Sequence, residues 1–216
     1  MPLEAVVFDV GETLADETRP WGAWADHLGI PRLTFFAALG ATIADGGHHH
    51  DPIRLFRPGI DIEAERALLD ERTGGFNAVT TDDLYPDALD CLRALAADGY
   101  RLGVAANQPA ATAAVIERLG IPLDLVGMSA EWELHKPDPA FFERVARELE
   151  LPPGAIAYVG DRVDNDVQPA HEAGMIAVFL RRGPWAWIQA GRENPREADV
   201  VIESLAELPA ALRALG

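Results

Sequence analysis

Apolar positions along this chain follow two different patterns. The first is a set of short, nearly continuous apolar runs: Leu3–Val10, Tyr100–Ala106, Leu123–Met128, Ile156–Gly160, Ile176–Leu180 and Asp199–Ile202. Such runs lack polar alternation and are rich in valine, alanine and isoleucine, which predicts strands buried on both faces. The second pattern is helical spacing, which from Tyr85 onward predicts helices over Pro86–Asp98, Pro109–Leu119, Pro139–Leu149, Val167–Ala173 and Ser204–Leu215. Pro86 suits a first helical turn, and Gly120 and Gly174 suit helix ends. Strands alternating with helices imply right-handed βαβ units. The predicted fold class is therefore α/β, a doubly wound parallel, Rossmann-like sheet with helices on both faces.

The alternation is interrupted once. Between the first strand and Tyr85 the chain has helical spacing over Trp21–Ala41 and Ile62–Arg72, with a polar stretch at Gly46–Pro52 and a break at Thr73-Gly74-Gly75. The simplest organisation is a core domain of residues 1–15 and 83–216, with a mostly helical domain of residues 16–82 inserted after the first strand. Two chain crossings at that junction would permit hinged closure.

Composition narrows the partners. With 216 residues and 49% hydrophobic content the chain can bury a sizeable core. A net charge of −17 repels nucleic acid and anionic membranes, so neither is expected as a partner. Any phosphate site must then create its own local positive field. Cys91 is the single cysteine and falls on a helical apolar stripe with Leu92 and Leu95, so it reads as core and no disulfide framework exists. The N-terminus lacks a basic segment and a small-residue cleavage site, and no apolar run is long enough to span a bilayer; the expected location is cytoplasmic. No spare apolar stripe marks an oligomer interface.

In open parallel sheets, ligands bind beyond the carboxyl ends of the strands. The residues there are Asp9, Gly11, Glu12 and Thr13 after the first strand, and Ala106, Asn107 and Gln108 after the second. His135, Lys136, Pro137 and Asp138 precede the Pro139 helix, and Asp161, Asp164, Asn165 and Asp166 follow the Ile156 strand. Singly, an aspartate there is usually a turn or capping residue. Together, several acids on one rim require a cation, and oxygen-only ligands select a hard one such as Mg²⁺. A lysine beside them suits a phosphate dianion, and an aspartate can attack phosphorus.

Four segments carry a resemblance to the haloacid dehalogenase (HAD) superfamily. Phe8-Asp9-Val10-Gly11-Glu12-Thr13-Leu14 resembles its first motif, DxDGTL; Leu102–Asn107 occupies the place of the second; Lys136-Pro137-Asp138-Pro139 resembles the third; Gly160-Asp161 through Asp166 resembles the fourth, GDxxxxD. The helical insert resembles the C1-type cap. The resemblance implies an Mg²⁺-dependent hydrolase acting on a small phosphorylated molecule through an aspartyl-phosphate. Asp9 would be nucleophile and metal ligand. The Gly11 carbonyl, Asp161 and Asp166 would complete the metal site, Asp166 directly or through water. Lys136 would hold the phosphate, Thr13 would orient the first loop, and Asn107 would contribute from the second motif.

Two positions depart from the pattern. Gly11 stands where phosphomonoesterases of the superfamily carry the Asp that protonates the leaving alkoxide, a role worth about 10²–10⁴-fold. Ala106 stands where Ser or Thr binds a phosphoryl oxygen. Glu12 adjoins Gly11, but neighbouring side chains on an extended segment point apart. Three readings stay open: a hydrolase of activated or acidic leaving groups, as in the ATP-driven pumps that also lack this Asp; a phosphatase whose acid comes from substrate, water or cap; and a metal- and phosphate-binding protein with little turnover. A metal-independent dehalogenase is less favoured, because those enzymes lack the paired acids of the fourth motif. His48-His49-His50 in the insert reads as a solvated loop, Arg181–Trp185 as a surface turn with one packed tryptophan, and Trp132 as a candidate pocket wall.

Overall fold

The computed structural model of the protein describes residues 2–75, 79–190 and 195–215. Six parallel strands form one sheet in the order β3-β2-β1-β4-β5-β6, with β1 Ala5–Phe8, β2 Arg101–Ala106, β3 Leu125–Met128, β4 Ile156–Gly160, β5 Ile176–Leu180 and β6 Val200–Ile202. Every residue of β1 and β4 is buried, as expected for central strands covered on both faces. Register places Phe8 beside both Val104 and Val159. The residues that follow these strands therefore emerge side by side. The order reverses at β1, which lies between β2 and β4, and the crevice at such a reversal is where doubly wound sheets bind ligands.

Clustering of the chain separates residues 1–16 with 80–216 from residues 17–79. The second unit is helical: α1 Thr18–Leu28, α2 Arg32–Ala44, α3 Asp51–Phe56 and α4 Ile62–Thr73. It has its own core of Trp24, Phe35, Ile53, Ile62 and Leu69. The single helix expected over Trp21–Ala41 is two. Gly29 ends α1 at φ 71°, its N–H bonded to Ala25 and Asp26 carbonyls, and Pro31 has no N–H with which to continue the turn. The polar stretch around Gly46–Pro52 leads into α3, a short helix that its charged sequence concealed.

The sheet unit carries α5 Ala88–Ala97, α6 Ala110–Glu117, α7 Ser129–Trp132, α8 Pro139–Leu149, α9 Gln168–Glu172, α10 Gly183–Ala190 and α11 Leu208–Arg213. Asp138 caps α8 by accepting the Ala140 N–H at 2.9 Å, and the helix buries Phe141, Phe142, Val145 and Leu149 against Val7, Ala105, Tyr158 and Phe179. Cys91 is in the core of α5, where burial pushes its thiol up to about 12, so it is inert at neutral pH. The segment read as a surface turn at Arg181–Trp185 begins α10, with Trp185 buried. Among the described residues no single helix is long and apolar enough to cross a membrane.

Trp132 is partly buried and packs against the core of the sheet unit. It lies over Gly127 of β3 and packs against Phe141 with ring centroids 5.3 Å apart. A Cβ on Gly127 would sit 2.0 Å from the Trp132 ring. Gly127→Ala is therefore expected to destabilise the protein by about 1–3 kcal/mol, read as a lower urea midpoint.

Candidate active site

The turn after β1 is tight. The N–H groups of Leu14 and Ala15 both bond to the Val10 carbonyl, and Glu12 takes φ 53°, the left-handed region. Asp9 leaves β1 with its own N–H held by the Val159 carbonyl at 2.9 Å, which fixes it beside β4. After β4 the chain forms one π-turn over Val163–Val167, and this wide turn folds Asp166 back over Gly160. A Cβ on Gly160 would lie 2.4 Å from the Asp166 side chain, so only glycine leaves room. The four-residue gap between Asp161 and Asp166 is thus a geometric requirement of that fold-back.

Lys136 is the centre of the site. Its Nζ is 2.6 Å from Asp9 Oδ1 and 2.5 Å from Asp166 Oδ1, and the side chain is 1% exposed. The other Asp166 oxygen accepts the Arg162 N–H at 3.0 Å. Burial would lower the Lys136 pKa, but Asp166 and Asp9 more than reverse this and hold the ammonium well above its ordinary range. Tyr158 lies beneath it, with Nζ 5.4 Å from the ring centroid and the phenol donating to the Ala105 carbonyl.

The structure brings Asp9, Lys136, Asp161 and Asp166 together. Asn107 differs from expectation. Its amide donates to the Lys136 carbonyl at 3.0 Å and accepts the Lys136 N–H at 2.9 Å, so it grips the lysine backbone. Thr13 is fully buried, and its hydroxyl has no hydrogen-bond partner among the described residues; its carbonyl, instead, accepts from Arg182 at 3.1 Å. Gly11 is half-buried and pairs with Ala15 in an isolated bridge. Glu12 does not lie on an extended segment, and its carboxylate accepts the Tyr85 hydroxyl at 2.7 Å. Sequence reasoning did not find Tyr85, Asp87 or Tyr158, which carry no motif. Arg182, in the segment read as a surface turn, reaches the Thr13 carbonyl and Asp87.

The residues fit a hard divalent ion. Ligand oxygens of Asp9, Asp161 and Asp166 lie within 4.8 Å of one another. Asp161 is 2% exposed, and its Oδ2 has no partner among the described residues. Burial first, then Asp166, Asp9 and Glu12, push the Asp161 carboxyl well above its usual range. One ammonium among these acids leaves net negative charge in a dry site, which a cation would offset. A second cluster, His48-His49-His50, lies in the helical unit; His48 Nδ1 accepts the His50 N–H at 3.2 Å, and His50 Nε2 accepts from Arg66 at 3.1 Å.

A family model for haloacid dehalogenase-like hydrolases matches residues 3–174. The chain belongs to that family. A curated glyceraldehyde 3-phosphate phosphatase from Methanopyrus kandleri is 33% identical over 233 residues, covering 95% of this chain and 99% of that protein. A phosphoglycolate phosphatase from Nitrosospira multiformis is 26% identical over 230 residues, covering 96% and 94%. Among solved structures, a HAD phosphatase from Thermococcus onnurineus shares 25% identity at TM-score 0.62, covering 99% and 98%. The L-2-haloacid dehalogenase of Xanthobacter autotrophicus shares the fold at TM-score 0.69 with 20% identity, covering 99% and 100%. The HAD-like chain described here is a phosphatase-type hydrolase.

Burial also raises the Asp166 carboxyl to about 6, against the lowering effect of Lys136. A carboxyl raised on folding binds a proton more readily folded than unfolded, so its contribution to stability falls as pH rises from 3.8 to about 6. Above that window a cation, if bound, would remove the penalty; below it, the proton would compete with it. Mg²⁺ is therefore expected to raise the melting temperature more at about pH 7.5 than at about pH 5, in thermal scans with Mg²⁺ and with EDTA.

Proposed function

We propose that this protein is an Mg²⁺-dependent phosphatase that acts on a small phosphorylated metabolite through an aspartyl-phosphate on Asp9. The carrying observation is the buried cluster in which Lys136 bridges Asp9 and Asp166 beside an Asp161 oxygen with no partner. Asp9 and Asp161 would hold the ion, with the Gly11 carbonyl and with Asp166 directly or through water. The helical unit of residues 17–79 would serve as the cap. When bound, Mg²⁺ would neutralise the acids and draw charge from the phosphoryl oxygens.

Asp9 keeps Oδ1 on Lys136, which leaves Oδ2 to attack phosphorus. The new oxygen–phosphorus bond forms as the ester bond breaks, and the bonding pair leaves with the departing oxygen. The ammonium of Lys136 has three protons, two of them engaged by Asp9 and Asp166, and the third can meet a phosphoryl oxygen. Water then attacks phosphorus, the bond from Asp9 oxygen to phosphorus breaks with its electron pair returning to the carboxylate, and the proton lost by the water offsets the one taken up from solvent by the departed oxygen, leaving inorganic phosphate. Asn107 acts at one remove, fixing the backbone from which Lys136 extends.

Residue 11 supplies no acid to the leaving oxygen, so the rate should depend steeply on how well that oxygen leaves unprotonated. Names of the relatives point to phosphomonoesters of short hydroxy aldehydes or hydroxy acids.

Phosphate release should follow leaving-group acidity across a panel of aryl, acyl and alkyl phosphates, and should vanish in EDTA and in Asp9→Asn. A flat dependence would show that another group supplies the proton, and no turnover of any of these would sink the enzymatic reading. Gly11 is not at positive φ, so aspartate suits its backbone. Gly11→Asp is expected to raise kcat/KM for unactivated alkyl phosphates by about 10²-fold while leaving aryl phosphates little changed.

A further inference from the structure

We propose that Glu12 is a positioning residue for the loop that carries Asp9, acting through Tyr85 and Arg182. The proposal rests on the reading of Asp9 as the reacting group. Glu12 sits at φ 53°, a conformation glycine adopts freely and other residues rarely do. Its side chain is 7% exposed and lies flat on Gly183, where an added Cβ would come within 2.6 Å of both its Cβ and Oε2. That carboxylate oxygen accepts the Tyr85 hydroxyl at 2.7 Å.

The contacts continue in a chain. The Arg182 guanidinium covers the Tyr85 ring at 4.1 Å, donates to the Thr13 carbonyl at 3.1 Å and pairs with Asp87 at 2.5 Å. Asp87 is itself held by the Ser204 hydroxyl at 2.7 Å and the Leu205 N–H at 3.0 Å. The Tyr85 N–H bonds to the Leu14 carbonyl at 2.9 Å. Residues 12, 13 and 14 are thus each tied to the segment 85–87 or to the start of α10. Asp9 and Gly11 occupy the same turn. A loop that must hold a nucleophile in line with phosphorus gains from rigidity, because small misplacements lower rate more than binding.

Three variants separate positioning from charge. Glu12→Gly suits the backbone but removes the contact, Tyr85→Phe removes one hydroxyl, and Glu12→Gln keeps an acceptor without the charge. Hydrogen exchange of the peptide 9–15 reads the loop directly, and kinetics at saturating Mg²⁺ read its consequence. Glu12→Gly and Tyr85→Phe should speed exchange and lower kcat by about 10-fold with KM changed less than about threefold. Glu12→Gln should exchange like the unaltered protein and keep most of its kcat. Unchanged exchange in both of the first two variants would overturn the proposal, as would a Glu12→Gln loss equal to that of Glu12→Gly. If the unaltered protein turns over nothing, the phosphatase reading fails while exchange still decides the loop.

Discussion

The ion pairs from Lys136 to Asp9 and Asp166 are the constraint around which the site is arranged. Three carboxylates and one ammonium are buried at the end of β1 and β4. No such group is stable there alone, because burying a charge is expensive unless it is paired and hydrogen-bonded. The surroundings follow from that requirement. Asn107 holds the lysine backbone, the π-turn delivers Asp166, the Arg162 N–H satisfies its second oxygen, and glycine at position 160 leaves it space. The pairing is incomplete at Asp161, whose Oδ2 has no partner among the described residues.

Much of this was legible in the sequence, for identifiable reasons. Fully buried parallel strands are written as unbroken apolar runs, so Ile156–Gly160 and Ile176–Leu180 are found at the bounds the runs predict. Polar residues at the ends of the apolar runs and at the start of the Pro139 helix fall on one side of such a sheet, which placed Asp9, Asp161 and Lys136 on one rim. The helical unit was less legible. Gly29 and Pro31 divide one apolar stripe into two helices, and α3 begins in a stretch whose histidines and aspartate disguise it. In the site, backbone-mediated roles were hidden. Nothing in an isolated asparagine signals that its amide will close a two-bond ring on the Lys136 backbone, and nothing near Tyr85 signals a partner 73 positions earlier.

The two departures from the family pattern differ in kind. Ala106 is buried at the end of β2, and its neighbour Asn107 ties this strand to the lysine. The second strand thus serves the site by holding a cation in place. Gly11 removes a functional group and leaves the turn intact. One departure leaves its strand tied to the site through the next residue, whereas the other simply omits a side chain from the turn.

The position of β1 also bears on how the chain acquires its fold. This strand is central in the sheet, yet its partners begin at Arg101 on one side and Ile156 on the other. The first residues of the chain must therefore stay unpaired during synthesis until much later segments emerge. Residues 17–79 have their own apolar core, independent of the sheet's, so they can form before β1 is paired. Within the sheet unit Asp16 N–H bonds to the Asp83 carbonyl, so the chain leaves that unit and re-enters it at neighbouring points. The long interruption in sequence is thus closed, at the sheet, by a backbone hydrogen bond, and loop-closure cost grows only slowly with the length inserted.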